Sequence, residues 1–297
     1  AFFAAPDIDV VYVGTPPALH EEHALAAIAN GKAVLCEKPF STSPDAARRI
    51  AAAARGARVF CMEAMWMRFI PLVRELRALL ERGDIGDVRL LHAELGFPIP
   101  YREDSRHYDA AQGGGVLLDL GIYALSLAFF LLGLPSDAHA FVASDHGVDE
   151  QVCVTLQYPN AFAQLSCTFA NRARNNAYLL GSRGQIELDA PLYAPTGMTI
   201  THADASASGA PARVWQPLVD KLPRLVELRR RITPTLKPLL RRNQTRVTRH
   251  FPGFGYQFEA EEAMRCMWAN ELESPIMPLG ETVALLELLD RLRAFQS

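Results

Sequence analysis

Three short apolar runs, Asp9–Val13, Ala33–Cys36 and Arg58–Met62, are separated by two stretches with helical spacing, and this alternation restricts the fold more than any other feature of the chain. Strands joined through helices form βαβ units, whose strands run parallel and whose crossovers are right-handed. The first run is continuous Val-Val-Tyr-Val closed by Gly14-Thr15-Pro16, the pattern of a strand buried on both faces. The first helix is expected over residues 18–30, with Gly31 as its stop. The second runs from Ser43 as N-cap and Pro44 in the first turn to Arg55, where Gly56 ends it. Ligands of such sheets bind outside the carboxyl ends of the strands. Here that edge carries Thr15-Pro16, Glu37-Lys38-Pro39 and Glu63-Ala64-Met65-Trp66.

From Pro71 the pattern changes. A helix to Arg82, a turn at Gly83–Gly86 and a strand from Val88 to Phe97 lead into the apolar run Val116–Leu134. Strands then follow without helices between them, over residues 138–144, 151–158, 162–169, 177–180 and 185–188, and two helices near 256–269 and 281–294 close the chain. Adjacent strands of this kind make an open mixed or antiparallel sheet, so the fold class is α/β plus α+β. The expected units are residues 1–66, residues 67–280 and a closing helix over 281–297 that packs back on the first unit.

The charge balance narrows the function. With 30 Lys and Arg against 33 Asp and Glu, the net charge of −3 argues against nucleic acid or an anionic membrane as partner. Val116–Leu134 approaches the length of a membrane span, but Asp119 sits one turn inside it, so a buried helix is expected. The 5 cysteines, Cys36, Cys61, Cys153, Cys167 and Cys266, lack CxxC spacing and read as reduced, buried thiols of a cytoplasmic protein; the opening residues show no basic leader. His107, His146 and His250 have no ligand spacing, and no metal is expected.

Gly113-Gly114-Gly115 opens the apolar run, whose ionisable groups Asp119 and Tyr123 are one helical turn apart and share a face. Lys38 ends the second strand. A lysine, a carboxylate and a phenol directed at one space make an acid/base site. In it Lys38 would stabilise a developing alkoxide, and Tyr123 would donate or accept the proton, its pKa lowered by the ammonium. Asp119 would orient Lys38 or hold a substrate hydroxyl. Taken singly, Lys38 reads more readily as a solvated loop lysine, and Tyr123 reads equally as a core residue; Asp119, in so apolar a helix, requires a partner.

Six segments together are more specific than any one of them: Asp7–Pro16, Glu37-Lys38-Pro39-Phe40, Met62–Phe69, Gly113–Tyr123, Gly147–Gln151 and Glu273–Leu279. In this order they resemble the glucose-fructose oxidoreductase and inositol dehydrogenase (Gfo/Idh/MocA) family, most closely its dihydrodiol dehydrogenase-like branch. The resemblance implies a nicotinamide-binding Rossmann domain using NADP or NAD, an open-sheet substrate domain, and hydride transfer to a sugar, cyclic polyol or dihydrodiol hydroxyl in the cleft between them. It further implies a homodimer, a cis peptide before Pro39, Lys38 as the lysine at the reacting oxygen, and Asp119 and Tyr123 as the acid/base pair. By the same resemblance Trp66 stands beside the nicotinamide or substrate, with an interdomain packing role as the alternative.

Thr15, Pro16 and His20, at a strand end and helix start where amides attract phosphate, join Glu37, Lys38, Pro39 and Trp66 as expected cofactor contacts. The fingerprint GxGxxG occurs nowhere in the chain, so a member truncated at its N-terminus is expected. Its first strand would then have an unpaired edge, with weak cofactor binding and aggregation as consequences that tight NADP binding would contradict. The alternative is a non-catalytic remnant or small-molecule binding protein of the same fold. Residues 213–249, with eleven Lys and Arg against Asp220 and Glu227, read as a solvated helical insertion or, alternatively, a contact for an anionic partner.

Overall fold

The computed structural model describes residues 2–203 and 243–295. Its first unit is a parallel sheet in the order β1-β2-β3, made of β1 (Val10–Val13), β2 (Ala33–Glu37) and β3 (Cys61–Ala64). Register pairs Val11 with Val34 and Cys36 with Glu63, so the carboxyl ends line up at one edge. Helices α1 (His20–Ala29) and α2 (Pro44–Ala57) make the crossovers. Ser43 caps α2, its hydroxyl accepting from the Ala46 amide at 3.3 Å.

Two local expectations are corrected. Gly56 lies inside α2, and the left-handed position that ends the helix is Arg58, at φ 56°. Helix α2 therefore consumes Arg58, and the third strand begins at Cys61, placing Glu63 within the strand where the sequence reading had it beyond the end.

After α3 (Pro71–Glu81) the chain builds an eight-stranded sheet in the order β11-β10-β9-β8-β4-β7-β6-β5. Its strands are β4 (Val88–Gly96), β5 (Asp137–Asp145), β6 (Val148–Gln157), β7 (Phe162–Thr168), β8 (Ala177–Gly181), β9 (Gly184–Leu188), β10 (Gly197–His202) and β11 (Gln244–Thr248). β4 pairs parallel with β7, and the other neighbours are antiparallel, so the sheet is mixed.

The apolar run lies against β4 and β7 as a π-helical segment, Leu117–Gly121, continuing into α4 (Ile122–Leu132). The stretch 110–132 is long and apolar enough to cross a membrane by composition, but 83% of its most apolar window is buried within the fold. Helix α5 (Gln257–Trp268) and helix α6 (Leu279–Arg293) close the described chain; α6 packs on α2 and β3, with Arg48 donating to Glu287 at 2.7 Å. Four of the free cysteines are buried as expected, whereas Cys153 is exposed on β6. Most of the basic stretch 213–249 lies outside the described residues; within it, Arg246 pairs with Asp189 and Arg249 with Glu75.

Candidate active site

The loop after β2 turns through a cis Lys38–Pro39 bond, and the lysine leaves it toward the π-helical segment. Lys38 Nζ donates to the main-chain oxygen of Asp119 at 2.9 Å and approaches its Oδ1 at 3.4 Å. The same nitrogen lies 4.5 Å from the centroid of the Tyr123 ring. Both charged side chains retain only 15% of their exposure. In so dry a setting, an ion pair closed by a second hydrogen bond is held more firmly than a surface pair. Lys38, Asp119 and Tyr123, far apart in sequence, therefore meet at one point.

The phenol differs from expectation. Burial pushes the Tyr123 hydroxyl well above its ordinary value, and Glu37 and Asp119 push in the same direction. The ammonium lies over the ring face, and the lowering of the phenol pKa expected from it does not appear, because desolvation dominates. The oxygen instead accepts a hydrogen bond from Trp66 Nε1 at 3.0 Å, which leaves its own proton free to donate.

Asp119 has two further neighbours. Arg106 Nη2 is 3.6 Å from Oδ1 and His107 Nε2 is 3.6 Å from Oδ2. Burial holds the His107 imidazole below its usual range. Both residues lie in a single 3-10 turn, Arg106–Tyr108, too short to show a period in sequence, and only their place ahead of Gly113 hints at proximity.

The cleft that Lys38 enters has a volume of about 360 Å³ and is bounded by Thr15, Pro16, His20, Glu37 and Pro39 on the sheet edge and by Arg106 and Asp119 opposite. Of the expected cofactor contacts, all but Trp66 thus line it. His20, fully buried, has both ring nitrogens against backbone carbonyls, Nδ1 at 2.8 Å from Pro39 O and Nε2 at 2.7 Å from Thr15 O. It braces the two loops and leaves no ring nitrogen for a phosphate. Thr15 Oγ1 is engaged with His23 Nδ1 at 3.1 Å. Glu37 accepts from the Tyr12 hydroxyl through Oε1 and from the Lys38 amide through Oε2, which fixes the loop that presents the lysine.

Trp66 lies outside this cleft, on the far side of Tyr123. There it meets Tyr193 and Tyr256 with ring centroids 5.7 and 4.9 Å away, forming an aromatic wall. Tyr193 was missed in sequence because it sits in irregular chain, and Tyr256 because it caps the start of α5, where no full turn precedes it to fix its direction. On an exposed hairpin, Asp145, His146 and Glu150 bring ligand atoms within 4.8 Å of one another; the acids surrounding Lys38 form no comparable group among the described residues.

The donor set fits the reacting end of a nicotinamide. A cation is fixed at the carboxyl edge of a parallel sheet, beside an open cleft and a protonated phenol. No glycine-rich phosphate cradle occurs among the described residues.

Comparison with known proteins agrees with this geometry. Residues 1–65 match the oxidoreductase family with an NAD-binding Rossmann fold, and residues 73–187 match the GFO/IDH/MocA C-terminal domain. Trans-1,2-dihydrobenzene-1,2-diol dehydrogenase of Bos taurus is 32% identical over 295 residues, covering 97% of this chain and 77% of the relative. Among solved structures, an aldose-aldose oxidoreductase from Caulobacter crescentus complexed with glycerol superimposes with a TM-score of 0.77 at 23% identity, over 99% of this chain and 78% of that one. A levoglucosan dehydrogenase in complex with NADH and levoglucosan gives 0.78 at 19% identity, over 99% and 79% of the two chains. At those identities the likeness shows the fold alone.

Proposed function

The chain belongs to the Gfo/Idh/MocA family of NAD(P)-dependent oxidoreductases acting on CH–OH groups, and we propose that Lys38, Tyr123 and Asp119 carry its reaction on a sugar, cyclic polyol or dihydrodiol hydroxyl. The observation that carries this assignment is the single position of the Lys38 ammonium, held by Asp119 and lying over the Tyr123 ring.

When bound, the nicotinamide supplies or takes the hydride. Thr15, Pro16, Glu37, Lys38 and Pro39 would hold its reacting end along the sheet edge, in residues 1–66. The substrate occupies the space bounded by residues 67–280, and α6, which begins at Leu279 just ahead of the expected boundary at 281, closes on both. Lys38 donates to the substrate oxygen and stabilises negative charge there; a preorganised cation in a dry site costs no reorganisation at the moment of reaction. Because burial keeps Tyr123 protonated, it serves in the reducing direction as the donor to the carbonyl oxygen. Trp66 Nε1 stabilises the phenolate left behind, and the reverse direction returns the proton to it. Asp119 keeps the ammonium in place between turnovers.

Lys38→Met and Tyr123→Phe should each lower kcat by about 10²- to 10⁴-fold with the fold retained. Turnover of a panel of polyols and dihydrodiols, followed through the nicotinamide absorbance, measures this; near-normal rates in both variants would defeat the assignment. A homodimer through the face of the large sheet that no described helix covers completes the proposal. Phe141 is 82% exposed there, opposite Cys153, in the kind of apolar patch that marks an interface.

A further inference from the structure

We propose that Asp149 and Arg293, which do not line the cleft, are positioning residues that hold the segment Gly114–Asp119 at the distance from Lys38 that the reaction needs. The proposal rests on the reading of Lys38 and Asp119 given above.

Asp149, near the start of β6, is 2% exposed. Its Oδ2 accepts from the amide of Leu117 at 2.6 Å. That amide opens the π-helical segment, and first-turn amides have no partner within their own helix. Its other oxygen, Oδ1, occupies the space beside Gly115: a Cβ there would lie 2.3 Å from it, and the φ of +103° already favours glycine.

Next to it, Arg293 in the last turn of α6 donates Nη2 to the carbonyl of Gly114 at 2.9 Å and sets its Nε 3.5 Å from Asp149 Oδ1. A carboxylate from the large sheet and a guanidinium from the closing helix thus clasp both ends of the Gly114–Leu117 corner. Two residues further on, the oxygens of Asp119 receive Lys38. Burial raises the Asp149 pKa despite Arg293 and the Leu117 amide, so the carboxylate sits where its charge is costly. Loosening the corner moves Asp119, and with it the lysine.

The test measures Lys38 directly in the purified protein, with no cofactor added. Acetic anhydride labelling of Lys38, read by mass spectrometry, and amide exchange over residues 113–121 are compared across variants alongside kcat and KM. Asp149→Ala should raise Lys38 labelling about tenfold, speed exchange in the segment, and lower kcat by about 10²-fold with KM little changed. Asp149→Asn keeps an acceptor for Leu117 but loses the attraction to Arg293, and should fall between. Arg293→Met should match Asp149→Asn, while Arg293→Lys retains charge and donor and should restore labelling to near the wild-type rate.

The proposal is overturned if folded Asp149→Ala shows labelling and exchange within about twofold of the wild type. Should that variant not fold, unchanged labelling and kcat in both Asp149→Asn and Arg293→Met overturn it equally. A wild-type chain without dehydrogenase activity would defeat the reading of the reaction, yet the labelling and exchange results would still decide the clasp.

Discussion

Around the Lys38 ammonium, the local charge depends on which neighbouring acids keep their protons. Glu63 is fully buried on β3 beneath the lysine loop, where its Oε1 accepts from the Phe40 amide at 3.1 Å. Burial raises its pKa from 4.5 to about 7. Glu259 on α5, whose Oε2 has no hydrogen-bond partner among the described residues, is raised by burial and by Glu37 to about 9. Both shifts are upward, so the folded chain retains protons that the unfolded chain releases. The resulting stability is complete below about pH 4.5 and is lost as pH rises through about 7 for Glu63 and about 9 for Glu259. Each proton contributes a slope of up to about 1.4 kcal/mol per pH unit. Thermal melts should therefore show Tm falling from mildly acidic to alkaline pH, and Glu259→Gln should flatten the alkaline part; equal slopes in variant and wild type would remove Glu259 from the account. Lys38, Asp119 and Tyr123 were legible in sequence because ionisable groups at a strand end and inside an apolar helix stand out. Arg106, His107, Tyr193 and Tyr256 were not, since a single turn, irregular chain and the start of a helix have no period from which to read direction.

At the level of elements, capping chemistry set some boundaries and packing set others. Ser43 followed by Pro44 marks the start of α2, and the hydroxyl meets the Ala46 amide as that chemistry requires. Ser43→Ala should cost about 1 kcal/mol in a urea titration, and a loss indistinguishable from zero would mean the cap is dispensable. The end of α2 passes Gly56 because nothing there demands a positive φ; the turn into β3 falls at Arg58, which adopts it instead. The π-helical segment was invisible in sequence. A run apolar on all sides, from Val116 to Leu132, offers no phase against which an extra residue per turn registers. β10 and β11 escaped for a related reason. β11 is polar at most positions and becomes a strand by pairing with β10, Ile200 opposite Thr245, across a long separation in the chain.

At the level of the whole molecule, a parallel and a mixed sheet are brought together so that the edge of one faces the helix lying on the other. The side of the large sheet that no described helix covers, with Phe141 on β5 and the half-exposed Phe162 on β7, is the surface on which a second copy would sit. Phe141→Asp should shift the protein toward monomer in sedimentation or light scattering while leaving the melt of the monomer cooperative; an unchanged mass in wild type and variant would remove this face from consideration. The sequence alone determined the βαβ alternation, the change to strands beyond Pro71, and that Lys38, Asp119 and Tyr123 were candidates for one site. These depend on local period, turn chemistry and composition, which each segment carries by itself. Only the tertiary structure decided that the ammonium lies over the phenol ring, that the phenol keeps its proton, and that Asp149 and Arg293 clasp the corner ahead of Asp119. Desolvation and charge pairing depend on distances between segments remote in the chain, and those distances exist only once the chain has packed.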